Sequence, residues 1–128
     1  MAALTLWGLW GFLPKITIRY IEPKSAIVYE VIGGIFLAAL ALFSLDFRPE
    51  VHPIGIILAI TTGMLGFLGA FFFLSAVSRG PVTLVAALSA LYPIVTAILA
   101  TLILHETLTL RQGLGIALAF LSMILVVT

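Results

Sequence analysis

The chain has 128 residues, 63% of them hydrophobic and 9% charged, where an average soluble domain carries roughly 25% charged residues. A formal net charge of +1, with six basic residues scattered singly, leaves no basic cluster for a nucleic acid to recognise. The absence of cysteine removes disulfides, thiolate metal sites and thiol catalysis.

Five apolar stretches follow one another along the chain. Residues 2–20 form the first, with Lys15 and Arg19 near its far end. No basic segment precedes it, and it closes on Pro14-Lys15 in place of a small-residue cleavage site, so it reads as a membrane span and not as a signal peptide. Residues 25–45 follow with one charge, Glu30. Residues 54–74 and 82–104 contain no Asp, Glu, Lys or Arg and are long enough to cross a hydrocarbon core of about 30 Å as helices. Residues 112–128 form the last and shortest span. The expectation is an all-α, polytopic membrane protein, with five transmembrane helices in one bundle and a single domain over 1–128.

Short connectors hold almost all of the charge. Arg19, Glu22, Pro23 and Lys24 mark the first, and Asp46, Arg48, Pro49, Glu50, His52 and Pro53 the second. In the third, Ser78-Arg79-Gly80-Pro81, glycine leaves one helix and proline starts the next. The fourth runs from His105 to Arg111, where Thr107 or Thr109 offers a side-chain oxygen to cap the last helix. Five spans put the two ends of the chain on opposite sides of the membrane. Arg48 and Arg111 then lie on one side, and Arg19, Lys24 and Arg79 on the other with Lys15 nearby. So small a bias in Lys and Arg permits insertion both ways, and with it an antiparallel homodimer of inverted-repeat symmetry.

The stretch "ALYPIVTAILATLILHETLT" over 90–109, followed by "LRQGLGIALAFLSMILVV", resembles the C-terminal half of one repeat of the EamA-like family in the drug/metabolite transporter superfamily. The features that carry the resemblance are an early proline in the fourth helix, Pro93, a Gly-Glu-Arg-Leu-Thr type ending, and a glycine-bearing fifth helix with Gly113 and Gly115. The opening "WGLWGFLPK" is similar to the family's first helix. His105 stands where the family usually has glycine and Thr107 where it usually has arginine, which removes any role of that arginine. Typical members have two repeats and ten helices. The resemblance therefore implies a half-sized member that works with a partner copy, as the small multidrug resistance proteins do with four helices.

Candidate site residues come from the spans. If the first hairpin turns between Glu22 and Pro23, Lys15 and Glu30 lie at the same depth, each about 11 Å along its helix from the turn. Opposite charges in a membrane are expected to pair or to face water, so Glu30 is a candidate to bind a proton or a cationic solute, with Lys15 as its counter-ion. The plainer reading has Lys15 snorkelling to the interface and Glu30 in the headgroup zone. Trp7 and Trp10 share a face, either as an aromatic belt or as a cavity wall.

In the third helix Gly63, Gly66 and Gly69 present nearly bare backbone, a face on which another helix can pack closely. Phe67, Phe71, Phe72 and Phe73 are expected to face lipid or to pack between helices. In the fourth, Ser89, Pro93, Ala97 and Thr101 recur every four residues. Pro93 removes the amide partner of the Ser89 carbonyl and predicts a kink, beside which Ser89, Tyr92 and Thr96 are candidate cavity groups. Glu106, at the wrong end of a helix for a carboxylate, is expected at an interface and compensated by Arg111.

No nucleophile with its base, no HExxH, no phosphate loop and no metal-ligand spacing occurs, so neither an enzyme nor a cofactor or metal is expected. Two functions remain. One is a small secondary transporter of organic metabolites or drug-like solutes, an antiparallel homodimer in a bacterial or archaeal plasma (inner) membrane, with lipid, a small molecule and a second copy as its partners. The other is a non-transporting membrane subunit that packs against another membrane protein or a second five-helix chain.

Overall fold

The computed structural model describes residues 2–127, all-α among the described residues. The helices are α1 (Ala2–Thr17), α2 (Pro23–Ser44), α3 (Pro53–Val77), α4 (Val82–Ser89), α5 (Tyr92–Ile103) and α6 (Leu110–Val127). Three stretches are long and apolar enough to cross a membrane: Pro23–Ser44, Pro53–Val77 and Val82–Ile103, the last comprising α4 and α5. The protein is an integral, multi-pass membrane protein. It divides into two compact units, Met1–Arg79 and Gly80–Thr128.

In the first unit each helix end has a local cause. α1 stops at Thr17, short of residue 20, because the amides of Arg19 and Tyr20 turn back to the carbonyls of Ile16 and Thr17, each at 3.0 Å. α2 begins at Pro23, where the missing N–H costs nothing in a first turn. It ends in a Schellman arrangement: Phe47 N–H donates to the Leu42 carbonyl at 3.1 Å and Asp46 N–H to that of Phe43 at 3.2 Å. The Phe47 ring then packs edge-on against Phe43, 4.8 Å between centroids. α3 starts at Pro53 with His52 as its cap, Nδ1 accepting from Gly55 N–H at 3.3 Å. It runs three residues past Leu74, since the Ser75 hydroxyl donates to the Phe71 carbonyl at 2.8 Å and brings no unpaired polar group into the helix.

α3 packs against both α1 and α2. Its burial is confined to one end: Ala70, Phe73, Leu74 and Val77 are buried, the last two completely, while Pro53 through Gly69 are exposed. Pro14 near the end of α1 and Ala26 near the start of α2 are buried with them. The unit is thus closed at the end that carries connector 18–22 and open along the rest of α3.

In the second unit α6 packs against α4. The expected kink is a complete break, with α4 ending at Ser89 and α5 starting at Tyr92. Pro93 falls in the first turn of α5, the position its ring tolerates, and it leaves the Ser89 carbonyl without its usual i+4 donor. α6 is capped by a box in which Thr109 N–H donates to Gln112 Oε1 at 2.8 Å and Gln112 N–H to Thr109 Oγ1 at 3.3 Å.

Candidate functional site

The open part of the first unit is a groove of about 310 Å³, lined by Trp10, Glu30, Gly63, Gly66, Phe67 and Ala70. Trp10 lies at the middle of α1 and Gly63 and Gly66 at the middle of α3, so the groove sits near mid-membrane when these helices span it. Glu30 is seven residues past Pro23, about 10 Å into α2. It is half-buried and is the lining's one ionisable side chain.

Helix geometry brings these residues together. Gly63, Gly66 and Ala70 are spaced three and four apart, which puts them on one face of α3. A Cβ at Gly63, Gly66 or Gly69 would meet nothing within 4 Å, so this backbone face is open. Phe67, on the same side, lays its ring across α2 at Gly34, where a Cβ would come within 2.7 Å of Phe67 Cζ. Gly34 is one helical turn beyond Glu30. Trp10 packs on Phe73, with ring centroids 5.3 Å apart at 35°, which fixes the indole as a wall of the groove. Of the four phenylalanines in α3, Phe73 is buried and Phe72 exposed, while Phe67 enters the groove.

Lys15 occupies a different place. Its Nζ donates to the Val77 carbonyl at 2.7 Å, at the C-terminal end of α3, where the last carbonyls lack helical partners and the helix dipole favours a cation. Because α1 stops at Thr17 and α2 starts at Pro23, the hairpin is centred on residue 20 and not between Glu22 and Pro23. Lys15 is then only about 3 Å from its helix end and Glu30 about 10 Å from its own. The equal depth expected from the sequence is replaced by an offset of about 7 Å.

The second unit holds Ser89, Tyr92 and Pro93 at its helix break, with Ser89 and Tyr92 exposed. The Thr96 and Thr101 hydroxyls donate to the carbonyls of Tyr92 and Ala97 in their own helix. A separate apolar groove of about 360 Å³ runs between α5 and α6, with Ala97 and Thr101 facing Gly113 and Ile116. Glu106 and Arg111 are exposed. Among the described residues no group of three His, Cys, Asp or Glu side chains is placed to hold a metal ion.

Residue types alone did not single out Gly34. Its signal was the pair Gly33-Gly34 one turn after an intramembrane carboxylate, since adjacent glycines inside a helix weaken it and call for a packing reason.

Residues 1–128 match the profile of the EamA-like transporter family. A curated protein of Bacillus subtilis (strain 168), "Uncharacterized transporter YyaM", is 30% identical over 119 residues, which make up 91% of this chain and 39% of that protein. The chain therefore spans well under half the length of that relative. No solved structure matches.

Proposed function

This chain belongs to the EamA-like transporter family, and on that premise we propose that it is a small secondary transporter of organic metabolites or drug-like solutes. It works by alternating access as an antiparallel homodimer, in the plasma (inner) membrane of a bacterium or archaeon. The observation that carries the reading is the groove around Glu30. A carboxylate within a span is costly unless it is paired or meets water, and this one opens onto bare glycine backbone near mid-membrane, the depth at which secondary transporters hold their solutes.

The lopsided packing of the first unit supplies the movement. Its helices are locked where Ala70, Phe73, Leu74 and Val77 are buried and open elsewhere, so one copy is sealed toward one side of the membrane. An inverted copy is sealed toward the other side, and exchange of the two conformations within the dimer opens the groove to each side in turn. The second copy approaches along the face of Gly63, Gly66 and Gly69 and covers the groove without filling it, so that the solute lies between the two copies, with Glu106 as an exposed interface residue outside the spans. Ser89, Tyr92 and Pro93 mark a second functional region, because a helix interrupted within the membrane leaves carbonyl groups for a solute or water.

The test is flux. The purified chain in vesicles is expected to exchange organic solutes above the rate of protein-free vesicles, and Glu30→Gln to abolish that exchange while keeping its elution profile in detergent. Absence of flux from wild-type chain would favour a non-transporting subunit.

A further inference from the structure

The chemistry of the groove narrows the class of solute. Its lining has one charge, the carboxylate of Glu30, two aromatic surfaces, Trp10 and Phe67, and a floor of Gly63, Gly66 and Ala70. The only other polar side-chain group is the Trp10 indole N–H, a donor. Main-chain groups contribute little, because every lining residue lies inside α1, α2 or α3, where amides and carbonyls bond within the helix.

Each solute class meets this lining differently. An organic anion would place its charge beside Glu30, and Lys15 does not compensate: its Nζ is held at the Val77 carbonyl, seven residues past Ala70 and so about 10 Å further along α3. A zwitterion such as an amino acid would bring the same uncompensated carboxylate. A sugar needs many hydrogen-bond partners and would find two. A cation with an apolar body satisfies every surface at once. Its charge meets Glu30, its positive edge meets the faces of Trp10 and Phe67, and its body lies on glycine backbone where no Cβ intrudes.

We propose that the groove takes monovalent organic cations with an aromatic or similarly apolar body, of the aryl ammonium kind, through the carboxylate of Glu30 and the rings of Trp10 and Phe67. The proposal rests on the transporter reading for its biological meaning, but binding can be measured without transport. A volume of about 310 Å³ is at the lower end of small-molecule pockets, which suits a single ring bearing a compact ammonium group.

The test is titration of the purified chain in non-ionic detergent with three probes of similar shape: phenyltrimethylammonium, its neutral isostere tert-butylbenzene, and the anion benzenesulfonate. Saturable binding is expected for the ammonium alone, after subtraction of empty micelles. Glu30→Gln should weaken it about tenfold or more, and Trp10→Ala should weaken it more than Trp10→Phe, which keeps a ring face. Binding of the neutral or anionic probe at equal strength, or no binding of the ammonium, overturns the proposal. That comparison uses wild-type chain, so it stands even where Glu30→Gln fails to fold. If vesicles carry another solute in a Glu30-dependent way while the ammonium does not bind, the cation class falls and the transporter reading survives. If the ammonium binds but no solute crosses, the reverse holds.

Discussion

At Gly34 the absence of a side chain decides the shape of the groove. A Cβ there would stand 2.7 Å from Phe67 Cζ, too close for contact, so Gly34→Ala must displace a ring that lines the groove. The expected outcome is reduced solute exchange with the chain still folded, checked by flux and by the elution profile of that variant in detergent. His105 makes a second residue-scale case. Its φ of 55° is left-handed, a conformation that costs a residue with a Cβ about 1 to 2 kcal/mol. His105→Gly is therefore expected to raise the detergent melting point, worth about 1 kcal/mol, and an unchanged or lower melting point would contradict the assignment. The sequence already flagged this site, because histidine stands where the family it resembles usually has glycine. Glu30 and Trp10 were legible as candidates for a similar reason: a charge and an indole are conspicuous among apolar residues. Gly34 was not, since its role exists only through the ring of a residue on another helix.

The helices themselves were largely readable as elements, because long apolar runs bounded by charge and proline leave few alternatives. Their ends were not. α1 closes three residues before its apolar run does, through two backbone turns at Ile16 and Thr17, and that shift, together with the start of α2 at Pro23, moves Lys15 out of level with Glu30. Instead Lys15 ties the end of α1 to the end of α3 through the Val77 carbonyl. Lys15→Met removes a charged hydrogen bond and is expected to cost about 1.5 to 3 kcal/mol of stability. Since Glu30 lies at another depth, the losses from Lys15→Met and Glu30→Gln should add to within about 0.5 kcal/mol, as measured by denaturation of the single and double variants. A double variant more stable than that sum would mean the charges interact after all. The cap of α6 is a further element-scale case. Thr107 and Thr109 were equal candidates in sequence, and the Thr109 to Gln112 box distinguishes them. Thr109→Ala should cost about 1 kcal/mol and Thr107→Ala much less, by the same assay. The break at residues 90–91 exceeds the kink expected from Pro93 because proline is better placed in a first turn than within a helix.

For the whole molecule, composition was enough to specify a membrane protein, and the span count was enough to suggest a single repeat. What composition could not convey is that the chain forms two compact units, the first packed at one end only, because that depends on which small residues meet between helices. Insertion in both orientations is expected from the near balance of Arg48 and Arg111 against Arg19, Lys24 and Arg79. Two lysines added to connector 45–52 should shift a C-terminal sidedness reporter toward one population, and a reporter confined to one side from the outset would remove the basis for an antiparallel pair. The central claim is that a groove near mid-membrane opens to each side in turn. The chain has no cysteine, and a Cβ at position 66 has open space, so Gly66→Cys introduces a single reporter thiol in the groove. Sealed vesicles carrying this variant should be treated with a membrane-impermeant thiol reagent from the outside only, and the labelled fraction followed to completion. Labelling of essentially every chain is the expected result, since each groove visits the outer face. Labelling that stops at about half, as a static mixture of two orientations would give, or that never begins, as a filled and dry face would give, contradicts alternating access at this groove.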